Sequence, residues 1–299
     1  MRIKGRLLVL AGAALLLLLR STSALAASYV VLQDSDENSL VRVSMDGKSV
    51  TTIARGIRGI ALAIDAHGDY IVASKSVLWR VTPRGEVTEI VKAPDNSTWA
   101  SVAVDHAGNL LVADGAQPAL WRISPDGKTL RKILFGGATF APGNIRRASV
   151  FAGPGDDLTL LIQSNRWSVA GPQLFTISPD DAVREIPVVG DPVVYPTSLI
   201  SDGSADFLFV GEYPETAYNG TQVPVMRLTR DGRLSRFTSI PAGSGQIRMI
   251  RNAETGELVV CETYPGRLLV VDRDGTTVKT LVSLPHITYP VALVEDSNR

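Results

Sequence analysis

The sequence predicts an all-β chain folded as a six-bladed β-propeller, four antiparallel strands to a blade. Three observations carry that expectation: a phrase repeated six times, a strand–turn–strand phrase ahead of it, and complementary strands at the two ends.

The repeated phrase is two apolar residues, a variable one, another apolar residue, then Ser, Thr or Asp and a turn. Its copies read LVRVSMDGK from Leu40, LWRVTPRGE from Leu78, LWRISPDGK from Leu120, LFTISPDDA from Leu174, VMRLTRDGR from Val225 and LLVVDRDGT from Leu268. Self-similarity at such a period marks radial repeat folds. Five copies carry Gly at one turn position, where a positive φ is easily adopted. The fourth has Asp181, which tolerates that region better than most residues.

The second phrase is an apolar strand, a polar turn and another apolar strand. ALAIDAHGDYIVAS (61–74) and SVAVDHAGNLLVAD (101–114) show it clearly, and SVFAGPGDDLTLLIQ (149–163), SLISDGSADFLFVGE (198–212) and MIRNAETGELVVCE (249–262) more weakly. The unit is therefore four short strands, named A to D from the axis outward. Continuous helical periodicity is absent after residue 26.

The ends close the ring. The repeat region opens with a B-like strand, Tyr29 to Gln33, with no A strand before it, and ends with a surplus A-like strand, Val291 to Val294. Pairing the two completes six blades and leaves no open sheet edge there. An open sandwich or a solenoid explains neither end.

Residues 1–26 stand apart. Arg2, Lys4 and Arg6 precede an apolar run from Leu7 to Leu19, and Ala24-Leu25-Ala26 follows a small polar stretch. That is the pattern of a cleaved secretory signal, leaving 27–299 as one secreted or periplasmic domain. The apolar run, closed by Arg20, is short of the ~20 residues that span a bilayer. Removing Arg2, Lys4, Arg6 and Arg20 leaves 26 basic against 30 acidic residues. There is no basic stripe, so nucleic acid is not an expected partner. Cys261 is the only cysteine, so packing alone holds the fold; within Leu258-Val259-Val260-Cys261 it reads as a small core residue.

Antiparallel connectivity puts A–B and C–D turns on one face of the disc and B–C and D–A loops on the other. The second face carries the long loops, 165–172 and 213–222 among them, and long loops on a rigid scaffold are where binding is grafted. The residues leaving the B strands toward it include Asp114, Gln163, Glu212 and Glu262; those entering the A strands include Arg58, Arg147, Tyr195, Arg248 and Tyr289. These are the expected ligand contacts, forming a polar floor near the axis. Asp114, Glu212 and Glu262 would suit a divalent cation, Ca²⁺ or Mg²⁺, or acid–base work. The alternative is that they form structural ion pairs with Arg147 and Arg248. His286 lies on the same face as a candidate base, whereas His67 and His106 occupy matching short turns opposite. No G-x-S-x-G, Walker or H-E-x-x-H pattern is present.

DHAGNLLVADGAQPALWRISPDG (105–127) and TGELVVCETYPGRLLVVDRDG (255–275) resemble NHL-repeat propellers. They are also similar to the six-bladed superfamily of gluconolactonase/regucalcin-type lactonases, strictosidine-synthase-like proteins and virginiamycin B lyase. The resemblance covers all six blades and implies the fold. For function it implies a protein-interaction scaffold or a metal-assisted hydrolase or lyase. The lactonases hold their metal with Glu, Asn and Asp where A strands begin; here those positions read Gly59-Ile60, Trp99-Ala100, Arg147-Ala148, Pro196-Thr197 and Tyr289-Pro290. The lyase's His/Glu/His arrangement finds Glu212 and Glu262 but no His beside either. The leading expectation is an exported propeller that binds a small molecule, glycan or protein on its long-loop face.

Overall fold

The structure is a computed structural model; it describes residues 27–34, 37–135, 145–153, 157–164, 173–190, 196–204, 206–211, 222–240, 247–283, 285–288 and 290–296. These form six antiparallel sheets around an axis, the six-bladed β-propeller that the repeats predict. Blade one holds β1 (Ser28–Gln33), β2 (Ser39–Ser44) and β3 (Val50–Ala54) as B, C and D. Blade two runs β4 (Ala61–Ile64) to β7 (Val87–Lys92), and blade three β8 (Trp99–Val104) to β11 (Leu130–Leu134). Blade four runs β12 (Ile145–Ala152) to β15 (Val183–Ile186). Blade five uses β17 (Pro196–Ser201), β18 (Phe207–Gly211), β19 (Val223–Leu228) and β20 (Arg233–Ile240), and blade six β21 (Ile247–Arg251) to β24 (Val278–Ser283).

The last strand, β25 (Pro290–Asp296), is the A strand of blade one. It lies antiparallel to β1, Val30 opposite Val294 and Val31 opposite Leu293, so the chain's tail closes the ring inside the first blade. B strands are buried on both faces between neighbouring blades: every residue of β1, β5 (Tyr70–Ala73) and β22 (Leu258–Glu262) is buried, whereas β7 is largely exposed. That gradient is why B strands read as unbroken apolar runs and D strands as mixed.

One strand was not expected. Val189–Gly190 forms β16, which pairs in parallel with Arg233 and Leu234 on the outer edge of blade five. Two residues carry no period for a sequence to show.

The repeated turn glycine has a second reason besides its positive φ. A Cβ on Gly127 would sit 2.5 Å from the Ile90 carbonyl oxygen of the preceding blade, and Gly47, Gly85, Gly232 and Gly275 press on their preceding blades likewise. The exception, Asp181 at φ 66, meets blade three through charge, 3.1 Å from Arg122 and 2.7 Å from Arg131.

A polar staple also repeats at the short-turn face. The first residue of the A–B turn is Asp65, Asp105 or Asp202, and Asp296 holds that place in blade one. The variable residue of the repeated phrase, near the end of the C strand, is Arg80, Arg122, Arg227 or Arg42. The pairs lie 3.5, 2.8, 3.5 and 3.6 Å apart. Turn amides complete the shell of Asp65, Asp105 and Asp202, and the Tyr70 hydroxyl donates to Asp296, so these groups and the guanidinium replace water.

Candidate functional site

The strand bounds place the longest B–C connections in blades four and five, residues 165–172 and 212–222, against 74–76 in blade two. Of the expected contacts, Glu212, Tyr195 and Tyr289 lie outside the described residues. Gln163 and Arg147 sit opposite one another in blade four's B and A strands.

Asp114 ends its B strand as expected but turns back into its own blade. Fully buried, it accepts the backbone N–H groups of Thr98, Ala116 and Gln117 at 3.1, 2.8 and 3.2 Å, and the Trp121 indole N–H at 3.1 Å. Glu262, 1% exposed, pairs with Arg267 on the next strand of blade six. Asp114 is thus engaged by N–H groups of its own blade, and Glu262 has a structural ion pair with Arg267. Blades three and six are opposite one another in a ring of six, so these two carboxylates do not share a ligand. Among the described residues no three His, Cys, Asp or Glu gather as a metal site. The donor set at the described A-strand starts does not fit a divalent cation either, since Gly59, Ile60, Trp99 and Ala100 offer no side-chain oxygen.

Much of the expected polar floor, including Tyr195, Glu212 and Tyr289, lies outside the described residues. The axial cavity, about 310 Å³, is walled by all six A strands with mostly aliphatic and small side chains such as Ala63, Val102, Val150 and Val294. Arg248 and Ser101, Ser149 and Ser198 supply its polar groups. Inner strands converge only if their axis-facing side chains are small, and Asp114 stands one strand further out, held by the amides of its own turn. Ser198, at φ 59, donates to the Met249 carbonyl at 2.7 Å and accepts its N–H at 2.6 Å, tying the A strands of blades five and six.

Arg58 and His286 are brought to one edge of the long-loop face. A pocket of about 460 Å³ lies between the B–C connection of blade one and the connection that follows β24, lined by Gln33, Asp34, Glu37, Ser39, His286 and Thr288 among others. Exposed Arg58 stands 3.9 Å from Asp34, and exposed Arg55 pairs with Glu37. Such surface pairs contribute ~0–1 kcal/mol and exchange readily for ligand contacts. Sequence reasoning missed Asp34 and Glu37, which follow the B-strand exit at Gln33.

Cys261 is buried in the seam between blades six and one, and burial pushes its thiol up to about 12. The thiolate is the reactive form. A thiol-specific disulfide reagent is expected to leave the folded protein unlabelled and to titrate one thiol after denaturation; rapid labelling of native protein would contradict this packing.

No protein-family model matches the sequence, and no curated protein matches it. Solved structures do. The propeller of a nidogen/laminin complex superposes with a TM-score of 0.69 at 15% identity, over 92% of this chain and 100% of that one. Catalytically inactive virginiamycin B lyase from Staphylococcus aureus with quinupristin gives 0.57 at 15% identity, over 90% and 86%. A gluconolactonase from Xanthomonas campestris gives 0.57 at 14% identity, over 86% and 88%. The class is settled by this likeness and the strand order together: a six-bladed β-propeller, similar in fold to protein-binding and enzymatic propellers alike. No helix among the described residues is long and apolar enough to cross a membrane.

Proposed function

We propose that the chain is an exported binding protein that holds its ligand on the long-loop face, at the polar pocket of blade one. The ligand is a small molecule, glycan or protein segment rich in hydrogen-bonding groups. The observation that carries this reading is the pocket's lining: Asp34 and Glu37 offer acceptors, while His286, Arg55 and Arg58 at or beside its rim offer donors. The engaged state of Asp114 supports binding over metal-assisted hydrolysis or elimination, because a carboxylate already accepting four N–H groups is poorly placed to take a cation as well. The nidogen/laminin likeness accords with a protein partner.

The test is capture from a cell-envelope extract by wild type and by an Asp34→Ala/His286→Ala variant. Both side chains are at the surface, so the variant is expected to melt with wild type and to lose the captured partner; equal capture by the two would remove this site. Melting with Ca²⁺, Mg²⁺ or EDTA is expected to coincide, whereas a bound ion would raise the midpoint by mass action. Export predicts a recovered protein beginning at Ala27.

A further inference from the structure

The Asp–Arg staple fails in blade four at both ends. Gly153 stands where other blades carry the turn Asp, and Thr176 where they carry the C-strand Arg. Register fixes the equivalence: Thr176 lies opposite Thr159 as Arg80 lies opposite Ile71 and Arg227 opposite Leu208. The closing hydrogen bond is kept: Gly153 N–H donates to the Asp157 carbonyl at 2.9 Å, as Asp65 N–H does to Asp69 at 2.9 Å. Blade four carries neither of the two charged side chains at these positions.

Blade six lacks the pair as well, with Asn252 and Val270, but its neighbour fills the space. The Asn252 amide donates to the Tyr29 hydroxyl of blade one at 3.1 Å, and Met45 closes the gap. The residue equivalent to Tyr29 beside blade four is Phe207, which has no hydroxyl to offer. What remains between blades four and five is a cavity of about 520 Å³ on the short-turn face.

Its chemistry is specific. Leu174 and the edge-to-face pair Phe151 and Phe207, centroids 5.6 Å apart, make an apolar floor. Thr159 and Thr176 put hydroxyl-bearing residues on the wall, and the charged residues among its described lining are Arg184, Arg230 and Asp157. An apolar cleft of this size with few convergent polar groups suits a small ligand. An unfilled one forfeits the dispersion contacts of its walls. We propose that this cavity is a binding site for a small organic anion with a flat apolar body, its ring against Phe151 and Phe207 and its charge toward Arg184 and Arg230. It lies on the opposite face from the blade-one pocket and does not depend on it.

The fold itself supplies the blocking variant. Gly153→Asp with Thr176→Arg rebuilds the staple of the neighbouring blades and fills the cleft. The probe is anilinonaphthalene sulfonate, an aromatic anion. Wild type is expected to bind it saturably at one site, and the double variant at least tenfold more weakly with its melting midpoint kept. A folded double variant that binds as wild type does, or a wild type without saturable binding, overturns the site. As a check that does not touch the cleft floor, Arg184→Gln with Arg230→Gln is expected to weaken the sulfonate at least fivefold and leave the neutral phenylnaphthylamine unaffected. Equal loss of both probes, or of neither, overturns the assigned orientation.

Discussion

Deleting residues 290–299 is expected to give a chain with no cooperative melting transition. β25 is only seven residues long, yet it covers Val30, Val31 and Leu32, all without exposed surface, and buries Val291, Ala292 and Leu293 itself. Burial of a Val or Leu is worth ~1.5–3 kcal/mol, so three such residues and the uncovered face of β1 come to ~6–10 kcal/mol. That is comparable to the ~5–15 kcal/mol by which a domain is stable at all. A permuted chain with residues 290–296 joined by a short turn to Ser28, and new ends in a D–A loop, keeps every pairing and is expected to melt with wild type. Circular dichroism on heating distinguishes the outcomes: a truncated chain melting cooperatively within ~5 °C of wild type would show that the ring does not need its tail.

Replacing Asp114 is expected to have the largest effect of any single side chain discussed. Asp114→Ala strips three backbone N–H groups and the Trp121 indole of their shared acceptor in a site without solvent. Each buried unsatisfied donor costs ~1–3 kcal/mol, offset where water enters the gap left behind; a net loss of ~3–5 kcal/mol follows. Asp114→Asn keeps one oxygen for the three N–H groups but turns an amide donor toward the indole donor, so ~1–2 kcal/mol is expected. Urea denaturation of the three proteins gives the order directly. Wild-type stability in Asp114→Asn, with ligand binding lost instead, would return Asp114 to the ligand site.

The architecture was legible because it is written many times over. Six copies of one turn phrase, and strands whose apolar runs are uninterrupted only where both faces are covered, leave little choice of fold. The destinations of single side chains were not. Asp114, Glu212 and Glu262 look alike as acids at strand ends, but a carboxylate is taken by the nearest donors. For Asp114 those are turn amides two and three residues on, and for Glu262 the Arg267 guanidinium. The staple was there to be read: the variable position of the repeated phrase is Arg in four of six copies, and an Asp opens three of the intervening turns. Without the register that sets Arg80 beside Asp65, nothing joins those positions across an intervening strand. The cleft in blade four is the converse, since a missing pair has no pattern of its own.

The seams between blades are not all of one kind. Five are held where a glycine lets its turn rest on the preceding blade, against a carbonyl in four and the Thr238 side chain in the fifth, an apposition that dissolved ions do not loosen. Between blades three and four the same latitude is held by Asp181 and two guanidinium groups, one of them largely in solvent. Charges shared with solvent weaken as ionic strength rises. Raising the salt therefore screens the exposed Arg131 arm of that seam and leaves the glycine contacts of the other five as they are.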